Sequence, residues 1–277
     1  MALIDFRRPV VRVGLGVIAV LAGGVVARAN LITNGDFSTC VNYAGAQVSC
    51  SAVQITSGGT SYNGLELDAP SSTSTTLYGW TSTGYNFVFS PTTNDTGTGS
   101  NPGSYSPQYS NYLALWDASN GGLNGNAWNG KGPTGSSYFI GSDPAYQNGP
   151  LTQTISNLIV GAQYTLSFNW AAAQQKGYTG ATYEGWQVTF GSQTQSTSTV
   201  NNANQGFIAW MSQNMTFTAT STTQTLSFLS TGGPTGVPPF ALLANANLTF
   251  VPEPASIALL TVAALGVGGA IRRRRAS

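Results

Sequence analysis

From Gln163 to Trp170 the chain alternates without a break. Tyr164, Leu166, Phe168 and Trp170 are large and mostly apolar, whereas Thr165, Ser167 and Asn169 are small and polar. A period of two sends the sets to opposite faces of an extended strand, so the segment is a strand with one dry and one wet side. The pattern recurs in Trp186, Val188 and Phe190 against Gln187 and Thr189, and in Met215, Phe217 and Ala219 against Asn214, Thr216 and Thr218. It recurs again in Leu226 and Phe228 against Thr225 and Ser227, and in Ala246, Leu248 and Phe250 against Asn245, Asn247 and Thr249. Earlier strands are expected at residues 31–37, 52–56, 85–89, 112–116, 138–140 and 151–158. The body has no apolar stripe of period 3.6 long enough for a helix. Many half-buried antiparallel strands between Gly, Asn and Pro turns predict an all-β fold, an antiparallel β-sandwich of the jelly-roll kind. With no internal repeat and no second composition regime, one domain is expected over residues 30–250. Its long polar loops, 57–76, 90–111 and 117–137, are where binding surfaces form.

The charges say where such a body goes. Arg7, Arg8 and Arg12 precede an apolar run over 13–26, which closes on Ala27-Arg28-Ala29. A positive start, an apolar run and small residues around a cleavage point make 1–29 a signal peptide, with signal peptidase leaving Asn30 first. At the other end, Val251-Pro252-Glu253-Pro254 precedes an apolar stretch over 255–271 and the cluster Arg272, Arg273, Arg274 and Arg275. That stretch is at the lower limit for a membrane-spanning helix, at about 1.5 Å per residue. The arginines would hold its end in the cytoplasm. The exported body would thus begin as an inner-membrane-anchored precursor.

Composition removes whole classes of function. The chain has no histidine, which excludes Ser-His-Asp and Cys-His hydrolases and His-ligated zinc. Residues 30–250 carry Lys131 and Lys176 against Asp36, Glu66, Asp68, Asp95, Asp117, Asp143 and Glu184, a net charge of −5. So mildly acidic a body offers no surface for nucleic-acid phosphates. Charged residues make up 7% of the chain, against about 25% in typical soluble domains, as suits a secreted β-protein.

The order Pro252-Glu253-Pro254, short apolar segment and Arg272–Arg275 resembles the PEP-CTERM sorting signal of Gram-negative bacteria, also called an ice-binding-protein C-terminal domain. The resemblance covers residues 251–277. It implies an exosortase as processing partner, cleavage near the Pro-Glu-Pro tripeptide and a mature form at the cell surface or in the extracellular matrix. Ice binding itself finds no support in the body, which lacks a regular Thr-x-Thr array. The body has its own resemblance. Asn30-Leu31-Ile32-Thr33-Asn34-Gly35-Asp36-Phe37 is similar to the opening strand of galactose-binding-like jelly rolls, among them many carbohydrate-binding modules. Residues 151–158 with Gly161 and 164–168 look like the central strand pair of that fold, and 239–245 like its last strand. The resemblance implies a structural calcium on Asp36, although Ala244 stands where the family commonly has an acidic residue. No other cofactor is expected.

Candidate site residues follow. Cys40 and Cys50, ten apart in an exported chain, read as a disulfide, with free thiols as the alternative. For stacking on a sugar ring, Trp128 is the first candidate because it lies in Gly125-Asn126-Ala127-Trp128-Asn129-Gly130, outside any apolar alternation. The equal alternative is that Trp128 folds back to cap the sandwich. Tyr178 and Tyr183 are second choices. Gly125 to Gly132 mimics a phosphate-binding loop but lacks the Ser or Thr after Lys131 and any following helix. Asp117, Asp143 and Glu184 are the carboxylates in or beside loops. The expectation is a non-catalytic exported protein of the surface or matrix, with extracellular polysaccharide as the candidate partner. The alternative is a secreted polysaccharide-active hydrolase using paired carboxylates.

Overall fold

The structure, a computed structural model, describes residues 29–41, 44–50, 55–57, 60–62, 64–67, 76–89, 114–134 and 137–252. The expected signal peptide up to Arg28, and Glu253, Pro254, the apolar segment 255–271 and Arg272 to Arg275, lie outside the described residues. Among the described residues no helix is long and apolar enough to cross a membrane.

The first strands are short: β1 (Thr39–Val41), β2 (Gln47–Ser49), β3 (Ile55–Ser57), β4 (Thr60–Tyr62), β5 (Gly64–Glu66), β6 (Thr76–Leu77), β7 (Thr81–Ser82), β8 (Asn86–Phe89) and β9 (Phe139–Ser142). The later ones build the body: β10 (Leu151–Ile155), β11 (Gln163–Gln174), β12 (Thr182–Phe190), β13 (Gln193–Ser196), β14 (Val200–Asn202), β15 (Ile208–Thr218), β16 (Gln224–Gly233) and β17 (Pro239–Val251). Two antiparallel sheets result. One runs β13-β12-β16-β10-β7, with β14 also on β12; the other runs β15-β11-β17-β9-β8-β5. A small β2-β1-β6 sheet and a β3-β4 hairpin stand beside them. The described body is an all-β sandwich.

The alternating residues fill the space between the sheets. Leu166, Phe168 and Trp170 from β11 meet Trp186, Val188 and Phe190 from β12 and Leu226 and Phe228 from β16 in one buried cluster. Each such side chain contributes about 1.5–3 kcal/mol by leaving water. The second sheet is also covered on its outer face. There Phe87, Phe89, Phe139, Phe240 and Leu242 form a further cluster, closed by Leu115 and Trp128 from the 114–134 segment. Burial on both faces explains why β17 is apolar at every position from Phe240 to Ala244 instead of alternating.

The first expected strand is not one. Residues 31–37 form turns, with Asn34 at φ 53° and Phe37 at φ 56°. Asn34 and Gly35 carry turn chemistry that outweighs the apolar pattern. The Asn34 side chain accepts from the Thr39 amide at 3.0 Å and donates to the Thr39 carbonyl at 2.8 Å. The segment instead clasps β17: Leu31 N–H donates to the Leu248 carbonyl, and Ala246 N–H to that of Gly35, at 2.9 and 2.8 Å. At Gly35 a Cβ would come within 2.0 Å of the Ala246 oxygen, so no other residue fits. Of the expected 112–116 strand, residues 112–113 lie outside the described residues and 114–116 supply only an isolated bridge from Leu115 to Gln175. Of 52–56, the part before Ile55 is likewise outside. The expected 151–158 strand stops at Ile155.

Candidate functional site

At one end of the sandwich three turns converge. β9 ends at Ser142 and the chain folds through Asp143, Pro144, Ala145 and Tyr146. The Asp143 Oδ1 accepts the Ala145 amide at 2.8 Å, a local bond that sets this turn. Tyr85 is tied to the same turn, because the Asp143 amide donates to its carbonyl at 3.2 Å and its own amide to that of Gln147 at 3.0 Å. Across from them, the stretch after β11 presents Gln175 and Tyr178, and the β16–β17 loop presents Thr235, Gly236 and Pro238. The Trp116 indole holds the second turn by donating to the Tyr178 carbonyl at 2.9 Å. Between these turns lies a cleft of about 320 Å³, within the range of small-ligand sites.

Its walls combine flat rings with polar groups. Tyr146 and Tyr178 are 45% and 39% exposed, which for rings of this size is open surface. Tyr146 stands edge-on to Tyr85 at 5.0 Å, and Tyr85 edge-on to Phe87 at 4.6 Å, so the open ring is braced by the outer-face cluster. Asp143, buried, brings a carboxyl to the lining, and Gln175, half-buried, an amide.

Near Asp143 sits Glu184, on the inward face of β12 and fully buried. Burial pushes its carboxyl from 4.5 up to about 8; the nearby Thr182 hydroxyl opposes this, and the charge of Asp143 adds to it. Burial likewise pushes Asp143 from 3.8 up to about 7, against the Ala145 and Tyr146 amides. No cation contributes to either shift. Glu184 does not line the cleft.

The other sequence candidates fall elsewhere. Tyr178 joins the cleft, but Tyr183 lies on the outer face of β12 with its ring over Gly233. Trp128 is 6% exposed, stacked face to face on Phe207 at 4.5 Å, with its indole donating to the Lys131 carbonyl at 2.8 Å. With one ring face already taken and little surface left, it packs as a cap over the second sheet and is no open platform. Asp117 anchors its own turn, its Oδ1 accepting from the Ser119 and Asn120 amides. Asp36 is exposed and engages the Ser38 amide and hydroxyl. Among the described residues no group of three or more Asp, Glu, Cys or His is placed to hold a metal. Cys40 and Cys50 are disulfide-bonded, with Cα atoms 4.9 Å apart, and both are buried. Ala29, Asn30 and Pro252 are described, and Asn30 caps β17, accepting from the Leu248 amide at 3.0 Å.

Sequence reasoning missed Tyr85, Tyr146 and Gln175. Tyr146 carried the same signal as Trp128, an aromatic outside any alternation, in the turn-rich run Asp143-Pro144-Ala145-Tyr146.

No family model and no curated protein matches the chain. Among solved structures it is similar to a CBM61 module in complex with beta-1,4-galactotriose, at 16% identity over 50% of this chain and 82% of that one, with a TM-score of 0.28. It is also similar to the CBM22-1 xylan-binding domain from Paenibacillus barcinonensis, at 11% identity over 63% and 87%, TM-score 0.30. An adhesin domain of Lys-gingipain from Porphyromonas gingivalis matches at 16% identity over 41% and 75%, TM-score 0.28. Likenesses this distant carry no argument about ligand, and the sandwich rests on the strand pairing itself.

Proposed function

We propose that this chain is a non-catalytic exported sandwich protein that binds a glycan in the cleft between Tyr85, Tyr146 and Tyr178. The observation that carries this reading is the pairing of open tyrosine rings with Asp143 and Gln175 around one cleft. A flat ring covers the apolar face of a sugar while carboxyl and amide groups bind its hydroxyls. Hydrolysis by paired carboxylates needs both groups flanking the scissile bond. Glu184 is fully buried and absent from the cleft wall, which favours binding over turnover. The test is retention of the full chain on a panel of bacterial exopolysaccharides, with release of reducing sugar measured in parallel. Tyr178→Ala should weaken retention by about tenfold or more, with no sugar released by either form. Equal retention of the variant, or turnover by the wild type, would remove this reading.

We further propose that the signal peptide and the Pro252-Glu253-Pro254 tail deliver this body to the surface or matrix through signal peptidase and an exosortase. The order of the tail's three parts supports it. In the native host, Glu253→Ala should make the membrane-bound precursor accumulate. Unchanged processing of that variant would reduce the tail to an ordinary anchor.

A further inference from the structure

Four buried oxygen atoms at the cleft end of β12 make no close hydrogen bond, although the Thr182 hydroxyl lies near enough to the Glu184 carboxyl to act on it. They are both carboxyl oxygens of Glu184, Oγ1 of Thr182 and Oδ1 of Asn202. Their residues are 0%, 2% and 1% exposed in that order, so water does not reach them from the surface. Position brings them together. Thr182 and Glu184 are two apart on one strand and share its inward face. Thr182 pairs directly with Asn202 across the β12–β14 ladder, which puts those side chains on the same face. Asn202 spends its amide nitrogen on the Gly206 carbonyl at 3.2 Å, leaving its oxygen uncommitted.

A second carboxylate adjoins the group. Glu184 pairs with Gly232 across β12–β16. A Cβ built on that glycine would meet Pro144 Cγ at 2.9 Å and Glu184 Cα at 3.3 Å. The Asp143-Pro144 turn therefore packs directly onto the Glu184 pair. Unpaired buried acceptors are costly, and the Thr182 hydroxyl has one hydrogen to offer the three carboxyl and amide oxygens around it. A proton on Glu184 would satisfy one of them; a hard cation would engage the whole set.

We propose that Glu184, Thr182, Asn202 and Asp143 form a binding site for one divalent cation of the calcium class. Two carboxylates balance its charge, and a hydroxyl and an amide oxygen are the neutral donors that calcium accepts in flexible arrangements. The site differs from the exposed Asp36. Occupancy would also tie the Asp143–Tyr146 turn, one wall of the cleft, to β12.

The test is equilibrium dialysis of the full chain in detergent against calcium chloride, without glycan, together with thermal unfolding in calcium and in chelator. One calcium per chain is expected, with a rise in Tm of roughly 5–10 °C at saturation. Glu184→Gln keeps the shape and removes the charge. It should weaken uptake by about tenfold or more while leaving Tm in chelator unchanged or higher, which separates lost binding from misfolding. Asn202→Asp, which adds charge to the same oxygen position, should strengthen uptake. Absence of calcium uptake by the wild type at millimolar concentration would overturn the proposal. So would uptake that survives Glu184→Gln and disappears with Asp36→Asn. Because no glycan is present, a failure here leaves the cleft reading standing.

Discussion

One strand, β12, runs through two different chemistries without changing face. Its inward residues from the far end are Phe190, Val188 and Trp186, then Glu184 and Thr182. Phe190 and Trp186 are locked into aromatic contacts, with Phe217 at 5.8 Å and edge-on with Phe228 at 6.2 Å, and Val188 is fully buried between them. The last two are buried, and their side-chain oxygens make no close hydrogen bond. The Phe190 half supplies cohesion, and the Glu184 half gives some of it up to keep oxygen atoms next to a cleft. Natural proteins break packing rules where a site is being held.

The largest effect should come from the apolar half. Phe190→Ala removes a ring that touches both Tyr164 and Phe217, and should cost about 3–5 kcal/mol. A urea midpoint within error of the wild type would mean that this half is not the cohesive one. The next effect concerns pH in the polar half. In buffer freed of divalent cations, Asp143 and Glu184 hold protons up to about 7 and 8 when folded, from ordinary values of 3.8 and 4.5. The folded chain thus binds more protons than the unfolded chain between those limits. Stability from these groups is full below about pH 4 and lost as pH climbs toward 8. Urea midpoints at pH 5 and pH 8 in chelator should therefore fall in that order; a higher midpoint at pH 8 would mean that the two groups are solvated or paired. The smallest effect is at the cleft surface. Tyr178→Ala, which weakens retention on polysaccharide, should move stability by no more than about 0.5 kcal/mol. A large loss would make Tyr178 a packing residue and blur the contrast between the halves.

The same strand shows how far the sequence could be read. Alternation revealed Trp186 to Phe190 because apolar residues mark the period. It did not extend to Thr182 and Glu184, where the strand continues with polar residues facing inward. The sandwich was legible because its core strands repeat one pattern. The 31–37 segment misled because Leu31 and Phe37 mimic a strand while Asn34 and Gly35 turn the chain. The outer-face cluster was hidden, since no single-strand pattern shows that residues from 114–134 will cover a sheet. Of the cleft, Tyr178 and Asp143 were visible as residue types, as was Glu184 beside it. Their convergence was not, because it depends on three turns far apart in sequence.

The clasp of residues 31–37 on β17 also fixes how the body hangs. Asn30 bonds to Ala246 and Leu248, so both ends of the body leave from the same edge, close to Val251. Pro238, just before β17, lines the cleft, and the strand's 13 residues separate it from Val251 by roughly 40 Å. Under the delivery proposed above, a tether attached after Val251 would hold the body by the end opposite the cleft and leave the cleft on the side away from that attachment.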